Sequence, residues 1–493
     1  MSHNQSSYRT IVKGTAIFGG VQVFNILINL VRGKLVALFL GPAGMGVSSL
    51  FASTTNVITQ FTGLGLHLSG IKDISEANEQ GDVQKLSRVV TLFRKLVLLT
   101  GFLAATVAVV GAPYLSQATF GNRDYTWGFV ALSIMLFFTA VNSAETTLLQ
   151  GTRRLKYLAK ASMIGAIAGL LTGVPLYYFF GTKGIVPAMI ILALVSFLTN
   201  NYFTRKIPIE PVPLTLRASF QEGRHMFFLG IVLMMASLIG LITAYILNIY
   251  IRTQGSLDDV GLYQAANSIT NQYVGLVFAA MGVDFFPRLA AVCKDNTKVR
   301  EMVCDQLDVV MLVVTPLLIL IILTAPLVVK LLLTDDFLPV IPLLRWLSLA
   351  IFFKALTFPI GYISFSKGDK KTFFWMEGIF ANLMILAVSI IGYTLWGING
   401  LGIAMTVALV LYFIVLSIVV KIRYDFIIRY SFLKAIIPLF LSVFSSFLIC
   451  QLCPNDWRSY GLTTVILITV SIYSCKALDK RLDLKGIVQK FRK

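Results

Sequence analysis

Charge is scarce in these 493 residues. Asp, Glu, Lys and Arg make up 13% of the chain and hydrophobic residues 57%, against a globular norm of about 25% charged. A water-soluble domain could not bury that much apolar surface, so that class is excluded. Acid is scarcer than base: 23 Asp and Glu stand against 42 Lys and Arg, a formal net charge of +19. Histidine is nearly missing. His3, His67 and His225 are mutually remote in sequence, and His67 and His225 read as interface residues rather than ligands. The five cysteines include one CxxC, Cys450 and Cys453, with no second pair to complete a metal or redox site. There is no GxxxxGK[ST] phosphate loop, no HExxH and no GxSxG. The chain therefore does not read as an enzyme, and neither metal nor cofactor is expected.

Apolar sequence, by contrast, comes in long runs. About fourteen segments, from 11–40 to 459–476, are each long enough to cross a ~30 Å hydrocarbon core. The first is too long for the apolar part of a cleavable signal peptide. Basic residues gather in alternate loops, notably 72–87, 205–224 and 287–300, while the loops on the other side are short. This bias places the basic loops and both termini in the cytoplasm. The pI of 9.7 then reflects topology and anionic headgroups, and no nucleic-acid partner is expected.

The fold class that follows is all-α, a polytopic membrane protein. Gly151-Thr-Arg153-Arg154 recurs as Gly368-Asp-Lys370-Lys371, and Gly184-Ile-Val-Pro-Ala188-Met189 as Gly400-Leu-Gly-Ile-Ala404-Met405. Gly46 with Asn56 recurs as Gly261 with Asn271, so the offsets are 217, 216 and 215 residues. Six spans is an even number, so the two copies share one orientation. The expected organisation is a six-helix lobe over 1–204, a Pro-containing linker over 205–224 and a second six-helix lobe over 225–421. An extra helix pair over 432–476 and a basic tail over 477–493 complete it.

Polar residues inside spans are costly and are functional candidates by default. Span 1 carries Gln22, Asn25, Asn29 and Arg32 on one helical face, and span 7 carries Tyr245, Asn248 and Arg252 on another. Span 8 adds Gln264, Asn267 and Asn271. The plain alternative for the amides is interhelical hydrogen bonding, which does not call for arginine. Arg345 and Lys354 lie in span 10; Lys330 and Lys34 are placed to snorkel. Glu145 and Asp284 are the two acids that either pair with a buried cation or couple transport to an ion. The intramembrane charge is thus cationic, and arginine's planar donor fork suits phosphate. An anionic, phosphorylated substrate is expected, held by Arg32, Arg252, Lys354 and Arg345, with the amides and Tyr245 lining the cavity.

Gly41-Pro-Ala-Gly44-Met-Gly46 resembles the GPAGxG turn of bacterial O-antigen and lipid III flippases. Phe120-Gly-Asn122-Arg-Asp124-Tyr125, Val260-Gly261 and Pro287 are also similar to that family. It forms the polysaccharide-transport branch of the multidrug/oligosaccharidyl-lipid/polysaccharide exporter superfamily. The resemblance, over roughly residues 10 to 420, implies a V-shaped fold with a basic central cavity. It implies flipping of an undecaprenyl-diphosphate-linked oligosaccharide from the cytoplasmic to the periplasmic leaflet of a bacterial inner membrane. Expected partners are that substrate, inner-membrane lipids, and the polymerase and chain-length proteins of the same pathway. The last two spans depart from the twelve-span pattern; related fourteen-span lipid II flippases use such a pair as a lipid groove. Two rivals remain. A cation-coupled multidrug antiporter of the same superfamily would need an acidic or apolar cavity. A polymerase or ligase would need a substantial outward loop.

Overall fold

The computed structural model describes residues 2–482 apart from 211, 214, 454 and 455; side chains are described from residue 21 on, with gaps. Among the expected site residues, the side chains of Gln22, Asn271 and Asp284 lie outside the described set, as does that of His225. Fourteen α-helices follow one another: α1 (Ser2–Gly63), α2 (Leu66–Glu79), α3 (Val83–Phe120), α4 (Thr126–Gly151), α5 (Leu155–Phe180), α6 (Ile185–Thr204), α7 (Leu216–Gln254), α8 (Leu257–Ala291), α9 (Asn296–Leu332), α10 (Val340–Ser366), α11 (Lys370–Phe373), α12 (Ala381–Tyr424), α13 (Tyr430–Leu452) and α14 (Trp457–Leu482). A π-helical turn, Phe374–Phe380, joins α11 to α12. There is no strand among the described residues.

Helices and membrane crossings do not correspond one to one, because some apolar segments are double length. Among the described residues nine segments are long and apolar enough to cross a membrane, three of them 40, 50 and 55 residues long. One crossing needs about 20 residues, so each of these three crosses twice and must break between crossings. The breaks are glycines at positive φ: Gly41 (φ 64°) before Pro42, Gly181 (φ 54°) and Gly397 (φ 58°). Only glycine adopts such φ values without strain. Counting those three twice, and adding α7 and α8, gives the fourteen crossings expected from hydropathy.

The chain forms two compact units, Met1–Asp258 and Asp259–Lys493. In the first, α3 packs on α4, α4 and α5 on α6, and α1 on α5. Its core at the basic-loop end is built from Ile74, Leu92, Phe93, Leu96 and Leu148. The helix α7, seventh in the sequence and first of the second repeat, packs on α1, α2 and α3 and so belongs to this unit by contact. In the second unit α10 packs on α9 and α12, and the C-terminal pair α13 and α14 both lie against α9.

The backbone carries the repeat more sharply than the side chains do. Asp82 caps α3 by accepting from the amides of Gln84 and Lys85, and Asp295 caps α9 by accepting from those of Thr297 and Lys298. Tyr177 and Tyr393 are both buried, one helical turn before Gly181 and Gly397. A Cβ at Gly184 would strike the Leu176 carbonyl, and one at Gly400 the Gly392 carbonyl. The tyrosine and glycine pairs share the 216 offset, and the two capping aspartates lie 213 residues apart. The Gly151/Gly368 match is two residues out of register. The tight turn after α4 is closed by amides 152, 153 and 154 on carbonyls 148, 150 and 149, and the turn after α10 by 367, 368 and 369 on 363, 365 and 364. Arg153 (φ 55°) therefore matches Gly368 (φ 73°), an offset of 215 rather than 217.

Candidate functional site

The polar face of α7 is largely spent on its neighbours in the first unit. Tyr245 Oη lies 2.7 Å from Thr119 Oγ1 on α3, which in turn lies 3.3 Å from Thr54 Oγ1 on α1. Asn248 is buried and its Nδ2 donates to Ser53 Oγ at 3.1 Å. Arg252, in the last turn of α7, lays its guanidinium over Gly121 at the C-terminal end of α3. A Cβ there would push the guanidinium aside, and the φ of 77° at Gly121 favours glycine. The partial negative charge of a helix C-terminus favours a cation there. Arg252 Nε and Asn248 Oδ1 are buried with no hydrogen-bond partner among the described residues.

The α1 face is more open. Asn25 Nδ2 donates to Ser162 Oγ on α5 at 2.7 Å, and its Oδ1 has no partner among the described residues. Asn29 is exposed and Arg32 half-buried. Arg32 makes no ion pair among the described residues. Tyr245, Asn248 and Arg252 thus lie against α1 and α3, whereas Asn25 is held by α5, and no hydrogen bond links Asn29 or Arg32 to either group among the described residues.

In the second unit the two cations of α10 have opposite fates. Lys354 is exposed in the middle of the helix, about 20 Å from either end at the α-helical rise, out of reach of snorkelling. Arg345 is 2% exposed, and its Nη1 donates to the Cys450 carbonyl on α13 at 2.5 Å. It ties the C-terminal helix pair to the lobe and presents no surface to a phosphate, contrary to the expectation from sequence. On α8, Gln264 Nε2 donates to Ser268 Oγ at 3.4 Å, and Asn267 is half-buried. Glu145 is buried and paired: Arg94 Nη2 lies 2.6 Å from its Oε2, and Thr204 Oγ1 donates to the same oxygen at 2.5 Å. His67 Nδ1 lies 2.6 Å from Thr147 Oγ1, the interface role expected of it. Cys450 and Cys453 are free thiols.

Residues 35–342 match the model of the family described as polysaccharide biosynthesis protein. The chain belongs to that family. A relative, the lipid III flippase of Escherichia coli, is 26% identical over 373 residues, 73% of this chain and 86% of that protein. The stage V sporulation protein B of Bacillus subtilis is 21% identical over 156 residues, 32% of this chain and 30% of that one. Among solved structures, the lipid II flippase MurJ in an inward closed conformation gives a TM-score of 0.72 at 14% identity, covering 95% of this chain and 99% of that one. An inward-facing multidrug resistance MATE family transporter gives 0.70 at 18% identity, covering 83% and 98%. Both share the fold of this polysaccharide biosynthesis protein.

One site in this family member escaped sequence reasoning. Glu377 sits in the π-helical turn, its carboxyl packed against Gly361 of α10, where a Cβ would collide with Oε1. The buried Tyr412 hydroxyl of α12 faces that carboxyl without a settled hydrogen bond, and the Tyr362 phenol lies nearby. No cation pairs with Glu377 among the described residues. Asn382 Nδ2 holds the turn open by donating to the carbonyls of Glu377 and Gly378 at 3.0 and 2.8 Å. The available signal is a lone acid inside the first apolar turns after Lys370-Lys371.

Proposed function

We propose that the chain is a flippase that moves an undecaprenyl-diphosphate-linked oligosaccharide from the cytoplasmic to the periplasmic leaflet of a bacterial inner membrane by alternating access. The observation that carries this reading is a set of cations, Arg32, Arg252 and Lys354, with no carboxylate partner among the described residues, in a chain whose relatives include the lipid III flippase. Unneutralised charge at the depth of Arg32 and Lys354 is expensive and is kept where it meets an anion. A polyprenyl tail stays in the bilayer while its head crosses. The protein has only to shelter the diphosphate with guanidinium and ammonium groups and the sugars with Asn25, Asn29, Asn248, Gln264 and Asn267. The membrane potential adds about 2.3 kcal/mol per charge per 100 mV for an anion leaving a negative interior, so outward movement needs no nucleotide. The basic loops and both termini lie on the cytoplasmic side, and the polymerase and chain-length proteins of the same pathway receive the product.

Where transport is coupled to an ion, the geometry favours Glu377 over Glu145. The Arg94 guanidinium already compensates Glu145, while Glu377 faces only phenols and a glycine. The test is periplasmic accumulation of labelled lipid-linked glycan in cells lacking the chromosomal copy. Wild type restores export, and Arg32→Ala and Arg252→Ala each abolish it at normal protein level. Wild-type export in both variants overturns the phosphate role. A gain of drug resistance with no glycan export supports the multidrug antiporter instead.

A further inference from the structure

The basic end of the second unit holds a cavity that the flipping reaction does not use. Lys371, Thr372, Trp375 and Met376 on one side, and Val419 and Arg423 on the other, line a partly open cavity of about 200 Å³. Its polar mouth is cationic. Asp369 is the acid beside it, and it is already occupied by the Thr372 amide at 3.0 Å, the Thr372 hydroxyl at 2.8 Å, Tyr424 Oη at 2.9 Å and Arg423 Nη1 at 3.2 Å. Lys371 is exposed and makes no ion pair among the described residues, and Lys370 and Lys421 flank it. The remaining walls are apolar, and they continue outward as Trp375 (53% exposed), Ile418 (52%) and Ile422 (78%).

That gradation, ammonium and guanidinium at the loop border and the Trp375 indole and Ile418 about one turn deeper, follows the amphiphilic profile of a lipid. Tryptophan and lysine mark the membrane–water interface, and basic pockets between spans hold lipid head groups. A free anion would not need the apolar wall, and a glycan would not fit the volume.

We propose that this cavity binds the phosphate of a membrane lipid through Lys371 and Arg423, with an acyl or prenyl chain lying along Trp375, Ile418 and Ile422. The phosphate comes either from bulk anionic phospholipid or from the undecaprenyl-diphosphate cargo before it enters the transporter. Only the second source rests on the flippase reading.

The experiment is native mass spectrometry of the full-length protein in detergent, titrated separately with phosphatidylglycerol, a neutral diacylglycerol and undecaprenyl diphosphate. Wild type retains one phosphate lipid and no diacylglycerol. Lys371→Gln lowers retention about fivefold, the effect of one interfacial cation, and Lys371→Glu lowers it further. Trp375→Ala, which leaves the charges in place, weakens binding of long-chain lipids and not of a short-chain analogue. Lys371-sensitive retention of phosphatidylglycerol alone identifies a resident lipid. Lys371-sensitive retention of undecaprenyl diphosphate identifies a landing site for cargo. Retention unchanged in both Lys371 variants, at unchanged thermal stability, overturns the proposal. Absence of glycan export with lipid retention intact overturns the flippase reading and leaves the pocket standing.

Discussion

The two halves of the repeat agree at one end and part company at the other. At the short-loop end Tyr177, Gly181 and Gly184 answer Tyr393, Gly397 and Gly400 residue for residue, down to the φ of the turn glycine. At the basic end the first half holds a compensated ion pair, Arg94–Glu145 with Thr204. The second half holds Glu377, which has no cation partner among the described residues, in a π turn. The register explains how. The offset is 215 at the turn before α5 and α11 and 216 at the following hairpin, so the second half carries one additional residue between them. An α-helix takes up an extra residue by widening one turn into a π-bulge, a feature found often at functional sites. The first half runs through α5 without one. The two scaffolds thus match at the hairpins, and one additional residue makes the second chemically different at the basic end.

Deleting one residue within Phe374–Phe380 breaks the comparison most directly. The flanking helices return to the first half's register, the protein still inserts, and glycan export is lost because Glu377 rotates away from Gly361 and Tyr412. Glu377→Gln, which keeps the shape and removes the charge, gives the same loss of export with little change in melting temperature. Full export by the deletion variant would show the bulge to be incidental. In the first half the pattern reverses. Glu145→Ala leaves Arg94 without its counter-charge and destabilises the detergent-solubilised protein by about 3 kcal/mol or more, read as a lower melting temperature. The double variant Arg94→Met/Glu145→Leu, which removes both charges, recovers most of that loss. The matched hairpins come next. Gly184→Ala and Gly400→Ala each push a methyl group into a facing carbonyl, for about 1–3 kcal/mol by overpacking, and unequal effects would show that the two hairpins do not bear the same load.

Much of this was legible in the residues. Apolar length alone yields the crossings, because hydrocarbon thickness fixes how many residues one crossing takes. The 216 offset was visible because two of the glycines are demanded by close backbone approach. The Gly151/Gly368 match failed for a physical reason: it aligned a glycine followed by two cations, whereas the turn aligns positive φ, and arginine holds that conformation in one half where glycine holds it in the other. Lys354 and Arg345 could not be told apart from sequence. They lie nine residues apart on one helix, and what separates them is α13, whose carbonyl at Cys450 receives Arg345 and whose docking on the lobe leaves no periodic trace in α10. Glu377 was missed because a π turn changes which side of the helix its residues face, and helical spacing assumes that no such turn is present.

The smallest effect sharpens the comparison where the halves should be alike. Asp82 and Asp295 cap α3 and α9 through the same pair of amides, those two and three residues on, so Asp82→Ala and Asp295→Ala should lower the melting temperature slightly and by equal amounts at neutral pH. For Asp295 the effect carries a pH signature. The Lys298 amide, then that of Thr297, and the Lys298 charge hold its carboxyl below the usual carboxylate range. A depressed folded-state value means that the capped form contributes stability above the unfolded-state pKa and loses it as pH falls through the folded one. The gap between wild type and Asp295→Ala, followed by melting temperature from pH 7 downward, therefore closes only below the ordinary carboxylate range. A gap that persists unchanged at the lowest pH would mean that the side chain acts there by packing and not by accepting the two amides.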